Sequence, residues 1–133
     1  MELTLLDTSF LVDLERELRR NKQGPAKGFL ERNPDLPLSI SFTVAGELAC
    51  GVSLEKEPVW LAYIAPFQVL ESNRKVSWNY GRLYRALKKQ GEMIGSNDLW
   101  IAATALAYEA TVLTGNLKEF SKIPNGPKLR SYS

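Results

Sequence analysis

Short runs rich in leucine and β-branched residues alternate along this chain with segments of helical period, and that alternation constrains the fold more than any other feature. Leu3–Leu6 is a continuous apolar run, as expected of a central strand covered on both faces. Further strands are expected over 36–42, 67–70 and 111–114, with an edge strand over 129–132. Between them lie helix-period segments. The first is capped by Thr8 or Ser9, presents Leu11, Leu14 and Leu18 on one face, and breaks over 21–25. A short helix over 26–31 ends before Asn33-Pro34. Thr43 starts a helix that carries Glu47, and 58–64 reads as helical with Pro58 in its first turn. Residues 74–90 place Val76, Tyr80, Leu83, Tyr84 and Leu87 at helical spacing, with Gly91 as the C′ residue. Residues 98–110 are apolar nearly all round, which predicts a buried helix. Strands in alternation with helices predict a parallel sheet flanked by helices. The chain has 133 residues and no repeat, linker or low-complexity tract, so 1–133 is expected to form one domain.

Composition then narrows the chemistry. There is no histidine, which removes Ser-His-Asp and Cys-His catalysis and the commonest zinc ligand. The one cysteine, Cys50, forms neither an internal disulfide nor a cysteine zinc site, and within 45–52 it is expected to fill space in a helix. Net charge is +2, so any hold on a polyanion must come from a local basic patch. Carboxylates with a hard metal ion remain as the chemistry the composition allows. No secretory signal and no transmembrane run is recognised, so a cytoplasmic location is expected.

Four polar residues stand where a parallel sheet would present them to one crevice, because ligands of open α/β sheets bind beyond the carboxyl ends of the strands. Asp7 ends the first strand and Asn116 follows the run 111–114. Asp98 stands at a helix start, and Glu47 lies one turn into another helix. Each has a plainer reading. Asp7 and Asp98 are both suited to cap helices, Glu47 to face solvent, and Gly115-Asn116 to form a turn. Carboxylates that converge need a compensating partner, and a divalent cation is the usual one.

These residues carry a resemblance. Leu5-Leu6-Asp7-Thr8-Ser9, Glu47-Leu48 with Gly51, the run from Asn97-Asp98-Leu99-Trp100 to Ala105, and Leu113-Thr114-Gly115-Asn116 with Glu119-Phe120 and Ile123-Pro124 occur in that order. In this the chain resembles PIN domains, and more narrowly the VapC-type ribonuclease toxins, over nearly its whole length. The resemblance implies a three-layer α/β/α fold with a parallel central sheet. It implies a metal-dependent endoribonuclease using Mg²⁺ or Mn²⁺, with Asp7, Glu47 and Asp98 as the acidic, metal-holding triad and Asn116 as the fourth catalytic position. Family members often have Asp at that position, and Asn brings an oxygen but no charge. Glu119 is near in sequence and offers a carboxylate, or else is a surface residue beside Phe120. The resemblance also implies an RNA substrate, a small antitoxin partner that blocks the acidic groove, and a homodimer.

The residues suit such a role. A metal can activate water, neutralise charge and stabilise the leaving oxygen without histidine. Thr8, Ser9 and Thr114 have hydroxyls able to orient the carboxylates. Arg82, Arg85, Lys88 and Lys89, or Lys118 and Lys122, are candidate RNA contacts, and a solvated helix face is the alternative for the first four. Trp60 and Trp78 are candidates for base stacking, whereas Trp100 is expected to pack in the core. Trp60, Leu61 and Ile64 are a candidate partner surface or else core. A haloacid-dehalogenase-type phosphatase would need a second Asp where Ser9 stands, and a receiver-like domain would need paired acids near the first strand. A PIN-like module that binds RNA or a partner without catalysis is the remaining alternative.

Overall fold

A computed structural model describes residues 2–133, and it places the run Leu3–Leu6 at the centre of a five-stranded sheet as β1. The elements follow as α1 (Thr8–Arg20), α2 (Pro25–Arg32), β2 (Leu38–Ser41), α3 (Phe42–Ala49), a 3₁₀ turn over Val52–Leu54, α4 (Glu57–Ile64), β3 (Gln68–Leu70), α5 (Arg74–Lys89), α6 (Ser96–Tyr108), β4 (Ala110–Thr114), α7 (Leu117–Phe120) and β5 (Leu129–Ser131). The sheet order is β3-β2-β1-β4-β5, and every pairing is parallel. β1 aligns Leu5 with Ser39 of β2 on one side and with Val112 of β4 on the other.

The sequence accounts for this order. Thr4, Leu5 and Leu6 are all buried although successive side chains point to opposite faces, so both faces of β1 are covered. α6 packs on β1, β2 and β4, and α5 packs on α6. On α6, Leu99 and Ile101 through Ala105 are all inaccessible or nearly so, and the small side chains let the helix sit close to the sheet. β2 and β3 lie on one side of β1 and β4 and β5 on the other, so the chain reverses its winding between β1 and β4. That switch point opens a crevice at the carboxyl ends of those two strands.

The expected strands and long helices are all present, and α5 closes as expected. Gly91 has φ +74°, its N–H bonds the Lys88 carbonyl, and the Glu92 N–H bonds the Leu87 carbonyl, which together satisfy the last carbonyls of the helix. Several local expectations are corrected. The N-cap of α1 is Asp7, not Thr8 or Ser9. Leu18 is 52% exposed, because it lies in the last turn of α1 beyond the reach of the core. α6 begins at Ser96 with Gly95 as N-cap, so Asp98 is its third residue rather than its first. Cys50 is exposed at the C-cap of α3 instead of filling space. Ile64 is buried and Trp60 is fixed by a 2.9 Å bond from its indole N–H to the Ala45 carbonyl, which leaves only Leu61 of that trio open. Among the described residues, no helix is long and apolar enough to cross a membrane.

Candidate functional site

The end of β1 delivers Asp7 to the switch-point crevice with its side chain almost fully buried. Asp7 holds the N-cap position of α1 but makes no side-chain cap bond, so helix capping does not explain a carboxylate there. Its Oδ2 instead accepts two hydroxyls, from Ser9 at 2.9 Å and from Thr114 at 2.6 Å. Oδ1 receives no hydrogen bond from the described residues. The corner is tied further: the Gly115 N–H donates to Ser9 Oγ at 3.2 Å and the Asn116 N–H to Thr114 Oγ1 at 2.8 Å. The ends of β1 and β4 are thus cross-linked through the side chains that hold Asp7.

α3 supplies Glu47 from the adjacent side. Ser41 caps that helix through its hydroxyl, 3.2 Å from the Val44 N–H, and so fixes the turn from which Glu47 projects. The Glu47 carboxylate is gripped at both oxygens, by the Thr8 hydroxyl on Oε1 and by Asn97 Nδ2 at 2.6 Å on Oε2. Asn97 was not among the expected site residues. Its signal was only its place beside Asp98, and its partner lies 50 residues away in sequence.

Asp98, on the first turn of α6, receives no hydrogen bond from the described residues. Burial pushes its carboxyl up to about 6, and the negative charges of Asp7, Glu119 and Glu47 add to the rise in that order. The helix N-terminus works against this rise by favouring the charged form. The three expected acids are therefore brought to one place, and Glu119 stands with them. Glu119 pairs with Lys122 at 3.3 Å. Asn116 lies at the same strand end as the N-cap of α7 and is exposed, engaged through its backbone rather than its side chain.

Among the described residues, no three acidic or cysteine side chains close into a preformed metal cage. Yet the repulsion felt by Asp98 requires carboxylates close by. A small hard cation that keeps several of its own waters and takes few protein ligands needs no such cage. Oxygen donors only, one carboxylate oxygen free on Asp7 and an unpartnered Asp98 fit a hard divalent cation.

The PIN domain profile matches residues 4–126. The chain belongs to the PIN-domain family. Among PIN domains it is similar to Ribonuclease VapC2 of Rickettsia felis, with 37% identity over 93 residues that cover 66% of this chain and 69% of the relative. It is also similar to Ribonuclease VapC1 of the same species, with 32% identity over 127 residues, 90% of this chain and 89% of the relative. A solved structure of VapBC-1 from nontypeable Haemophilus influenzae superposes with a TM-score of 0.79 at 30% identity, over 98% of each chain. This PIN domain is therefore of the VapC type, and its parallel sheet with surrounding helices is the fold of that group.

Proposed function

We propose that this PIN domain is a metal-dependent endoribonuclease, the toxin of a toxin–antitoxin pair, acting as one domain over 1–133. The observation that carries the reading is the state of Asp98: a carboxyl without a hydrogen-bond donor, among three other carboxylates, whose charge a bound cation would balance. The ribonuclease names of its relatives and the VapBC complex it superposes on support the same reading.

Asp7 and Asp98 would hold Mg²⁺ or Mn²⁺, with Glu47 as a third contributor. When bound, the ion supplies charge neutralisation and an acidified water at neutral pH. The chain's own residues do the rest. Ser9 and Thr114 hold the Asp7 carboxylate in one orientation, and Thr8 and Asn97 do so for Glu47. That preorganisation leaves little to rearrange when a phosphodiester enters. Asn116 would orient a water or a phosphate oxygen, and Glu119 would make up the charge that Asn116 lacks. In-line hydrolysis there leaves a 5′-phosphate and a 3′-hydroxyl and does not use the 2′-hydroxyl, so preference for RNA rests on recognition.

A partner surface leads into the site. Thr8, Val12, Glu15, Glu47, Leu48 and Leu54 line one cleft, and Glu15 and Leu54 continue it to Leu18, Val59 and Tyr63. Val12, Leu18 and Val59 are exposed. An amphipathic antitoxin segment seated in this groove would reach Glu47 and cover the acids.

The test is incubation of partner-free protein with mixed cellular RNA, with Mg²⁺, with Mn²⁺ and with chelator, beside Asp7→Asn and Asp98→Asn. Metal-dependent cuts that vanish in both variants are expected. Cuts that persist in both would refute the site. A PIN-like binding module without catalysis would show RNA retention and no cuts with either metal.

A further inference from the structure

The charge on α5 is unanswered. α1 interleaves its charges and pairs four of its six charged residues, Arg16 with Asp13 and Arg19 with Glu15. α5 carries Arg74, Lys75, Arg82, Arg85, Lys88 and Lys89 and no acid. These are six of the chain's 17 basic residues, so the rest of the chain is net acidic, 11 basic residues against 15 acidic. None of the six forms an ion pair with a described residue; the pairs that exist use Arg16, Arg19, Lys122 and Lys128. Like charges three and four residues apart on a helix repel, so this arrangement costs stability in the free protein.

The charges form a track. Lys75, Trp78, Arg82, Arg85 and Lys89 recur at spacings of three and four residues and so share one face, while Val76, Asn79, Leu83 and Leu87 face the core. From Lys75 to Lys89 this face runs about 21 Å, several nucleotides of extended strand. Trp78 stands in it 60% exposed, and the Arg85 guanidinium lies 5.3 Å from the ring centroid. The other two indoles are committed elsewhere, Trp60 to the Ala45 carbonyl and Trp100 to a stack on Tyr80 at 4.0 Å.

The track leads to the acidic site. Just past its end, Gln90 Nε2 donates to the Lys122 carbonyl at 2.8 Å, and the Lys122 ammonium pairs with Glu119, whose charge acts on Asp98. α5 itself is braced on α6 by Asn79 Nδ2 to the Ala103 carbonyl at 3.3 Å and by the Tyr80–Trp100 stack. A chain bound along α5 would thus be held in fixed register to Asp98.

We infer that the exposed face of α5 is the docking track for single-stranded RNA, with Trp78 stacking on a base and Arg82, Arg85 and Lys89 contacting phosphates, so that it selects which strand enters the acidic site. The inference rests on the nuclease reading for its consequence in cleavage, but not for the binding itself. A polyanion answers the charge, and π-faces answer an indole already stacked on guanidinium. A second copy meeting this face about a two-fold axis would set six unpaired cations against six.

The experiment measures binding of a labelled single-stranded RNA of roughly 8 nucleotides, within the span of single-strand grooves, in chelator so that nothing is cut. A duplex RNA serves as control. The proteins are wild type, Trp78→Ala, Trp78→Phe and the double variant Arg82→Gln/Arg85→Gln. Trp78→Ala is expected to weaken single-strand binding roughly tenfold and leave duplex binding unchanged, with Trp78→Phe restoring most of it. The double variant should reduce the slope of log affinity on log salt by about 1.4, at roughly 0.7 per phosphate contact. In metal-supported cleavage of mixed RNA the same variants should raise KM and leave kcat alone. Cutting by wild type with equal affinity and KM in all variants would overturn the track and leave the nuclease standing. Binding that follows the variants without cutting in either metal would keep the track and defeat the nuclease reading. Self-association lost in Trp78→Ala, with RNA affinity unchanged, would assign the face to a second copy and overturn the inference.

Discussion

The Thr114 hydroxyl donates a 2.6 Å hydrogen bond to Oδ2 of Asp7, joining the ends of β4 and β1 across 107 residues of sequence. The same oxygen of Thr114 accepts the Asn116 N–H, so one buried side chain aims the acid and sets the start of α7. Thr114→Val keeps the shape and removes both roles. It is expected to lower cleavage or metal affinity about 10- to 100-fold, the usual effect of losing a group that orients a ligand. A buried carboxylate that loses a donor also costs about 1–3 kcal/mol of stability. Thr114→Ser should recover most of the activity. Metal titration and kcat/KM across the three proteins decide it, and an unimpaired Thr114→Val would show that Asp7 needs no such support.

Asp98 makes stability depend on pH in a direction opposite to most acids. Its carboxyl titrates near 6 in the folded chain against an ordinary 3.8, chiefly through burial and then through Asp7, Glu119 and Glu47. A group raised in this way contributes stability that is fully present below pH 3.8 and lost as pH rises through about 6. In chelator, Asp98→Asn should therefore match wild type near pH 4 and become the more stable protein above pH 6. The gain is on the order of 1 kcal/mol, well below the full shift, because solvent reaches this half-exposed group. Mg²⁺ or Mn²⁺ should stabilise wild type more at pH 7.5 than at pH 5 and the variant little at either. Chemical denaturation at several pH values provides the curves, and parallel curves for the two proteins would be the contrary result.

The fold was legible because the two central strands, β1 and β4, are short runs of apolar and β-branched residues between segments of helical period, and the winding rules leave few arrangements. The convergence of Asp7, Glu47 and Asp98 was legible for the same reason, since a parallel sheet gathers its strand ends. Three things were not. The hold of Asn97 on Glu47 depends on how α3 and α6 meet, which no local spacing encodes. The partnership of Trp60 with the Ala45 carbonyl is equally a tertiary event. The cap of α1 was left open between Asp7 and Thr8 or Ser9, and Asp7 occupies the cap position without capping, its side chain drawn instead to Ser9 and Thr114. That failure of a local rule coincides with the candidate site, as expected where function overrides local preference.

Glu119 separates two accounts of the fourth acidic position. Its charge comes ahead of that of Glu47 in raising Asp98, while Asn116 brings an amide and no charge. Glu119→Gln removes that charge and the ion pair with Lys122. The pair is surface-accessible and accounts for less than about 1 kcal/mol of stability. The acid limb of cleavage should then move to lower pH, because Asp98 feels one negative neighbour fewer, and metal affinity should fall. Calorimetric Mg²⁺ or Mn²⁺ titration with a pH–rate profile reads both. If neither moves, Glu119 serves only its lysine.

Gly115 is required by Tyr132. A Cβ at position 115 would lie 2.9 Å from the Tyr132 hydroxyl, closer than real contacts allow, and a tight 3.2 Å from Cζ. The ring cannot retreat: it is buried, packs edge-on against Phe10 at 4.8 Å, and its hydroxyl donates to Asp13 at 2.6 Å. Gly115→Ala must therefore displace the corner between β4 and α7. That corner holds the 3.2 Å bond from the Gly115 N–H to Ser9, and Ser9 holds Asp7, so strain at residue 115 reaches the acid through one side chain. A stability loss of about 1–3 kcal/mol is expected, typical of overpacking, with cleavage reduced even at temperatures where the variant stays folded. Tyr132→Phe removes the nearest atom, at the cost of the Asp13 bond. The double variant should consequently lose less than the two single losses combined, because the clash exists only when both groups are present. Strict additivity in thermal or denaturant unfolding would mean that the corner relaxes away from Tyr132, and that the glycine is not what keeps Ser9 and Asp7 in register.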